Sequence, residues 1–220
     1  MADANDDTSH LIQRAIAGDQ LALADLFDRY RDRLKRMIRL RLDRRLSARV
    51  DPSDVLQDAY LDMVQQLPSY HRNPDMPFFV WLRLTAGQRL QRIHRQHLGA
   101  AARDAVREVS LHRGAMPQAS SESLAAQLLG HFTSASRAVI RAEMQRQLQA
   151  VLSDMEPVDH EIIALRHFEE LTNQETAAIL GLSKTAASNR YVRALARLQQ
   201  ALESIPGFLD TTAGRHRGDR

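Results

Sequence analysis

The sequence predicts an all-α chain: two small helical domains joined by a flexible linker, the second carrying a helix-turn-helix. Three observations lead there. Apolar residues recur at helical spacing over long segments, most clearly from Gln20 to Leu46 and from Phe78 to Leu98. A capping box, a glycine stop and a second capped helix follow one another between Leu171 and Leu202. Between these regions, from Gly99 to roughly Ser136, the periodicity fades into alanine, serine, glycine and Pro117. The expected boundaries are a disordered start over 1–9, a first domain over 10–98, a linker over 99–136, a second domain over 137–203 and a disordered tail over 204–220.

In the first domain, Leu11, Ile12, Ala15 and Ile16 suit a short helix that ends at Gly18. The next helix, from about Gln20 to Leu46, turns Leu23, Leu26, Phe27, Tyr30, Leu34, Met37, Ile38 and Leu42 inward and leaves a surface that is mostly arginine. Asp51-Pro52 opens a third helix, because aspartate suits the N-cap and proline is tolerated in the first turn. Val55, Leu56, Ala59, Tyr60 and Met63 form its apolar face, while Asp54, Asp58 and Asp62 follow at intervals of four as an acidic stripe. Without further evidence a solvated face is the better explanation of such a stripe. Pro68 to Pro77 is expected to be a loop. The fourth helix, about Phe78 to Leu98, places Phe79, Leu82, Ala86, Leu90 and Ile93 inward, with Arg83, Arg89, Arg92 and Arg95 elsewhere around it. Basic side chains interleaved with Phe78 and Trp81 suit unpaired bases, although both rings could instead be core.

The linker has room for one short helix near Ser123 to Leu129. The second domain begins near Ala138, and Pro157 starts a helix that should bury Val158, Ile162, Leu165 and Phe168. Thr172 and Glu175 then form a capping box, Gly181 stops the short helix, Leu182 drops toward the core and Ser183 caps the last helix from Lys184. On that helix Ala187, Tyr191, Ala194, Leu198 and Leu202 share a stripe. Thr185, Ala186, Asn189 and Arg193 project from the opposite side, with Ser188 and Arg190 on its flanks. Small, hydrogen-bonding and basic side chains suit phosphates and base edges. An ordinary helical hairpin with a solvated basic face fits the same pattern.

Charge distribution adds to this. Net charge is only +3, yet residues 1–28 hold six acids against Arg14, and residues 29–49 hold ten bases against Asp32 and Asp43. All but Lys35 and Lys184 of the 30 Lys and Arg residues are arginine, which binds phosphate bidentately. With no cysteine, disulfides, thiol catalysis and zinc-cysteine sites are excluded. His160-Glu161 does not begin an HExxH pattern, His94 and His97 lack ligand partners in sequence, and no glycine-rich phosphate loop or GxSxG elbow occurs. No catalytic, cofactor or metal site is expected. No apolar run approaches the ~18 residues of a membrane span, and the acidic N-terminus is unlike a signal peptide; a cytoplasmic protein without membrane contact is expected.

In this order the motifs resemble those of bacterial RNA polymerase sigma factors of the sigma-70 family, and among them the small two-domain extracytoplasmic-function (ECF) group. VDPSDVLQDAYLDMVQQL (Val50 to Leu67) is similar to the family's D-x-x-D-hydrophobic-hydrophobic-Q-[ED] motif. The resemblance implies that Asp51, Asp54, Gln57 and Asp58 bind core RNA polymerase at the β′ clamp helices, and that the β flap is a second contact. PFFVWLRLTAGQRLQRIHRQH (Pro77 to His97) resembles the segment that melts and reads the minus-ten element, implying promoter-DNA contacts by Tyr70, Arg72, Asn73, Trp81, Arg83, Arg89 and Arg92. Leu152 to Leu198 is similar to the minus-thirty-five-reading domain, implying contacts by Lys184, Thr185, Ala186, Ser188, Asn189, Arg190 and Arg193. Ala187 departs from the valine or isoleucine common there. An anti-sigma protein is a further partner the resemblance allows. The rival reading is a stand-alone helix-turn-helix regulator acting as a dimer.

Overall fold

Local capping explains where most helices begin. A computed structural model describes residues 2–72, 74, 76–98, 116–130 and 138–204, which form nine α-helices and no strand. The expected all-α class holds. The chain divides into two units, the first ending at Pro117 and the second starting at Gln118.

The first unit holds α1 (Ala2–Ile16), α2 (Gln20–Arg41), a 3₁₀ turn (Arg44–Leu46), α3 (Pro52–Arg72) and α4 (Phe78–Leu98). The expectation of disorder over 1–9 is corrected: α1 begins at Ala2. The cause is long-range. Thr8 is buried, with its Oγ1 3.1 Å from the Tyr30 hydroxyl and accepting from Arg29, which also pairs with Asp7. Asp7 is thereby matched to the basic α2. Between them Gly18 takes a φ of +96°, and Asp19 caps α2 by accepting from the N–H groups of Leu21 and Ala22. Those bonds and Arg14 hold its carboxyl below the usual carboxylate range.

Helix α2 stops at Arg41 rather than Leu46, because Leu42 is extended and Asp43 caps the 3₁₀ turn. Arg41 is itself buried, donating to the Pro117 carbonyl at 2.8 Å. Helix α3 is the larger correction: it runs through Pro68 to Arg72, so the first five residues of the expected loop are helical. Proline removes one helical donor, but the carbonyl it orphans belongs to Val64 on the exposed side. Leu67 is buried just before it and Tyr70 stacks just after it, so packing carries the helix on. The apolar stripe of α4 is seen for Phe79, Leu82, Ala86 and Leu90, whereas Ile93 is half-buried.

The second unit holds α5 (Ser121–Gly130), α6 (Ala138–Ser153), α7 (Pro157–Ile163) continued by a π-helical stretch (Ala164–Phe168), α8 (Asn173–Leu180) and α9 (Lys184–Glu203). The short helix expected within the linker is α5, and it packs on α6 through a face that buries Leu124, Ala125, Leu128 and Leu129. It is part of the second unit's core. Ile162, Leu165 and Phe168 are buried as expected. Val158 is not: it is exposed, and Asp159 and His160 are buried instead. The expected tail from 205 and most of the linker lie outside the described residues.

Candidate nucleic-acid and protein interfaces

Short-range capping builds the helix-turn-helix. Thr172 Oγ1 accepts from the Glu175 N–H at 3.1 Å, and the Glu175 carboxylate accepts from the Thr172 N–H at 2.8 Å. Gly181 takes the left-handed conformation at φ 66°, ψ 30°, which turns the chain toward Ser183. Ser183 Oγ accepts from the Ala186 N–H at 3.1 Å and starts α9. Asn173 ties the two helix starts together, donating to the Lys184 carbonyl at 2.8 Å. Ala177, Ala187 and Ala194 are buried where helices pack, and small side chains let the backbones approach.

This packing fixes the outward face of α9. Lys184, Thr185, Ala186, Ser188, Asn189 and Arg193 are all exposed. Arg190 differs. It is half-buried, with Nε donating to Asp159 at 2.6 Å and its terminal nitrogen paired with Glu156. The expectation that it stands ready on the groove flank is corrected to that extent: two carboxylates, 31 and 34 residues away in sequence, already hold it.

In the first unit, Asp51, Asp54 and Gln57 are exposed along α3 and Asp58 is half-buried. Asp51 also caps α3 through the Ser53 N–H at 2.6 Å, which holds its carboxyl below the usual range. The acidic stripe does not stay on one face. Asp62 turns into α4, accepting from Arg89 at 3.1 Å and lying 3.6 Å from Arg92, while Asp58 is 3.8 Å from Arg89. Thus Arg89 and Arg92 have partners within the unit.

Three aromatic rings cluster where α3 meets α4. Trp81 stacks on Tyr70 with centroids 4.8 Å apart and on Phe78 at 5.5 Å. Trp81 and Tyr70 keep part of their surface in solvent. The Tyr70 hydroxyl donates to the Met76 carbonyl at 2.9 Å and so pins the turn between the helices. Arg72 is exposed at the end of α3; Asn73 lies outside the described residues. Arg83 is the clear correction, because its side chain is among the most buried in the chain, at 1% exposure. Its position explains this: at helical spacing it falls between Phe79, Leu82, Ala86 and Leu90, on the apolar stripe itself. Charge suggested a nucleic-acid contact where periodicity argued for the core, and periodicity wins.

A model of the ECF sigma factor family matches residues 5–204, both units included. The chain belongs to the ECF sigma factors. Among similar proteins are the ECF RNA polymerase sigma factor ShbA of Streptomyces griseus, 27% identical over 88% of this chain and 94% of that one, and SigD of Mycobacterium tuberculosis, 27% identical over 87% and 82%. RNA polymerase sigma-E factor of Streptomyces avermitilis is 40% identical over 57 residues, 26% of this chain; the match spans 32% of that factor's length. The solved structure of CnrH in complex with the cytosolic domain of CnrY shares the fold, with a TM-score of 0.53 and 23% identity over 90% of this chain and 98% of that one.

Exposure adds apolar residues to the two candidate faces that charge patterns passed over. Leu61 and Val64 are exposed on α3, and with Asp54, Gln57 and Asp58 they continue one stripe at helical spacing. On α9, Val192 is 61% exposed and lies with Thr185, Ser188 and Asn189. The signal that finds them is an apolar residue in register with a polar face. Among the described residues, no helix is long and apolar enough to cross a membrane.

His94, on α4, is not a ligand in waiting but a buried acceptor for the Asp43 N–H at 3.2 Å. Burial holds its imidazole below the usual range; Arg45 pushes the same way and Asp43 opposes. As pH falls, the unfolded chain therefore takes up this proton before the folded one does. The resulting stabilisation is whole above about pH 6.5 and is lost as pH falls through the folded value. Thermal unfolding followed from one pH unit above about 6.5 to one below should show this decline. His94→Gln, which keeps an acceptor without a titrating ring, should flatten it. An unchanged slope would assign the pH dependence to other groups.

Proposed function

We propose that this sigma factor binds core RNA polymerase and directs it to two-part promoters, without catalysis by the chain itself. Helix α3 docks on the β′ clamp helices through Asp51, Asp54, Gln57 and Asp58, and the second unit meets the β flap. The aromatic corner of Tyr70 and Trp81, with Arg72, Arg89 and Arg92, captures unpaired minus-ten bases of the non-template strand; holding a flipped base costs a few kcal/mol of lost stacking. Helix α9 enters the major groove at the minus-thirty-five element. The observation that carries this reading is the family match across both units, with an exposed acidic edge on α3 and an exposed small, polar and basic face on α9. The complex of CnrH with a second protein's cytosolic domain supports an anti-sigma protein as a further partner.

Gel filtration of the chain, alone and with core polymerase, tests the assignment. A monomer that co-elutes with core is expected. A dimer that binds duplex DNA and ignores core would favour a stand-alone regulator. Within α9, Asn189 points an amide at the groove, and Asn189→Ala should relax preference at one minus-thirty-five position by about 1–3 kcal/mol for a bidentate contact. Holoenzyme selection from a randomised minus-thirty-five library reads this directly. An unaltered selected sequence would mean that Asn189 does not face the bases.

A further inference from the structure

One cluster in the second unit lies at the edge of the groove face of α9, and two of its arginines, Arg190 and Arg193, are among the expected minus-thirty-five contacts. Arg190, Arg193 and Arg197 recur at i, i+3 and i+7, which puts them on one flank of the helix, beside its groove face. Together with Glu156 and Asp159, they line an open cleft of about 150 Å³. Three guanidinium groups against two carboxylates leave one net positive charge.

The two carboxylates are not equivalent. The Asp159 side chain is only 4% exposed, and it uses both oxygens: Oδ1 accepts from Arg190 Nε at 2.6 Å and Oδ2 from Arg197 at 2.7 Å. Glu156 stands just before the first residue of α7, with its side chain 63% exposed and no capping bond to the helix. It meets Arg190 at the outer end of the guanidinium, leaving the inner edge to Asp159.

For a guanidinium fork, a phosphodiester oxygen and a carboxylate oxygen are equivalent acceptors. Stripping a buried carboxylate of its partners is costly, so Asp159 stays where it is. A solvated pair is worth little and exchanges readily. We infer that the cleft takes one DNA backbone phosphate. Asp159 is the positioning residue that aims Arg190 and Arg197 at it, and Glu156 holds the phosphate's place on Arg190 until DNA arrives. Glu156 is thus a built-in competitor that weakens binding to upstream DNA of any sequence. The inference rests on α9 being the DNA-reading helix.

The test uses the full chain in holoenzyme and a fluorescent duplex, the tightest binder selected from a randomised minus-thirty-five library. Glu156→Gln keeps the side chain's shape on an exposed position, so folding should be unaffected. Affinity should rise roughly two- to fivefold, the factor that goes with releasing one exposed ion pair. In an Arg190→Ala background the same change should produce no gain, since the competitor has nothing to hold. Equal gains in both backgrounds would mean long-range repulsion alone, and no gain in either would mean no competition; each result overturns the inference. Asn189→Ala and Lys184→Ala in the same assay report on the reading beneath it. If both leave affinity and preference intact, α9 is not the reader and the inference falls with it. If they act as expected while Glu156→Gln does not, only the competitor is lost.

Discussion

Asp54→Arg combined with Asp58→Asn is expected to abolish binding to core RNA polymerase while leaving the fold intact. Asp54 is exposed on α3 and Asp58 is half-buried one turn on, 3.8 Å from Arg89. Arginine at 54 would set a like charge against a basic partner. Asparagine at 58 removes the charge without opposing Arg89. Disrupting close charge pairs across an interface costs roughly 2–5 kcal/mol, which at about 1.4 kcal/mol per tenfold takes a tight complex out of reach of a pull-down. The change at exposed Asp54 shifts stability by no more than about 0.5 kcal/mol, and loss of the long, half-exposed Asp58–Arg89 pair by no more than about 1 kcal/mol. Circular dichroism would establish the fold, and co-elution with core polymerase would read the binding. A folded double variant that binds core as the parent does would remove α3 from the interface.

Trp81→Ala should have the second largest effect, on promoter melting. The ring stacks on Tyr70 and Phe78 yet keeps part of its surface in solvent, the arrangement a base needs in order to add to the stack. Base-on-aromatic stacking is worth about 1–3 kcal/mol per base, or roughly five- to 150-fold in open-complex formation. Trp81→Phe retains an aromatic face and should lose much less. Permanganate reactivity of minus-ten thymines, with melting curves of both variants alongside, separates the two roles of the ring. Normal thymine reactivity in folded Trp81→Ala would leave the ring as a brace for the corner alone.

Features set by neighbours in sequence were the legible ones. The capping box of Thr172 and Glu175, the stop at Gly181 and the cap at Ser183 each depend on residues within a few positions, so the local sequence alone places them. Features set by distant partners were not. Asp7 and Thr8 are ordered by Arg29 and Tyr30, and nothing within 1–9 signals it. Pro68 looks like a helix end, yet the flanking Leu67 and Tyr70 are packed tightly enough to carry α3 past it. At the candidate sites, the tie from Arg190 to Glu156 and Asp159 spans two helices and has no local trace. Arg83 is a different case. Its place on the apolar stripe of α4 is readable from its spacing to Phe79, Leu82, Ala86 and Leu90, and there register outweighs charge.

Promoter choice by core polymerase should depend on this ECF sigma factor. The direct measurement is transcription in vitro by core polymerase, with and without the chain, from a library randomised across the minus-thirty-five and minus-ten regions. Initiation that requires the chain and enriches a two-part element is the expected result, with Asn189→Ala shifting the upstream part and Trp81→Ala suppressing transcripts throughout. Initiation by core polymerase that is indifferent to the chain would contradict it.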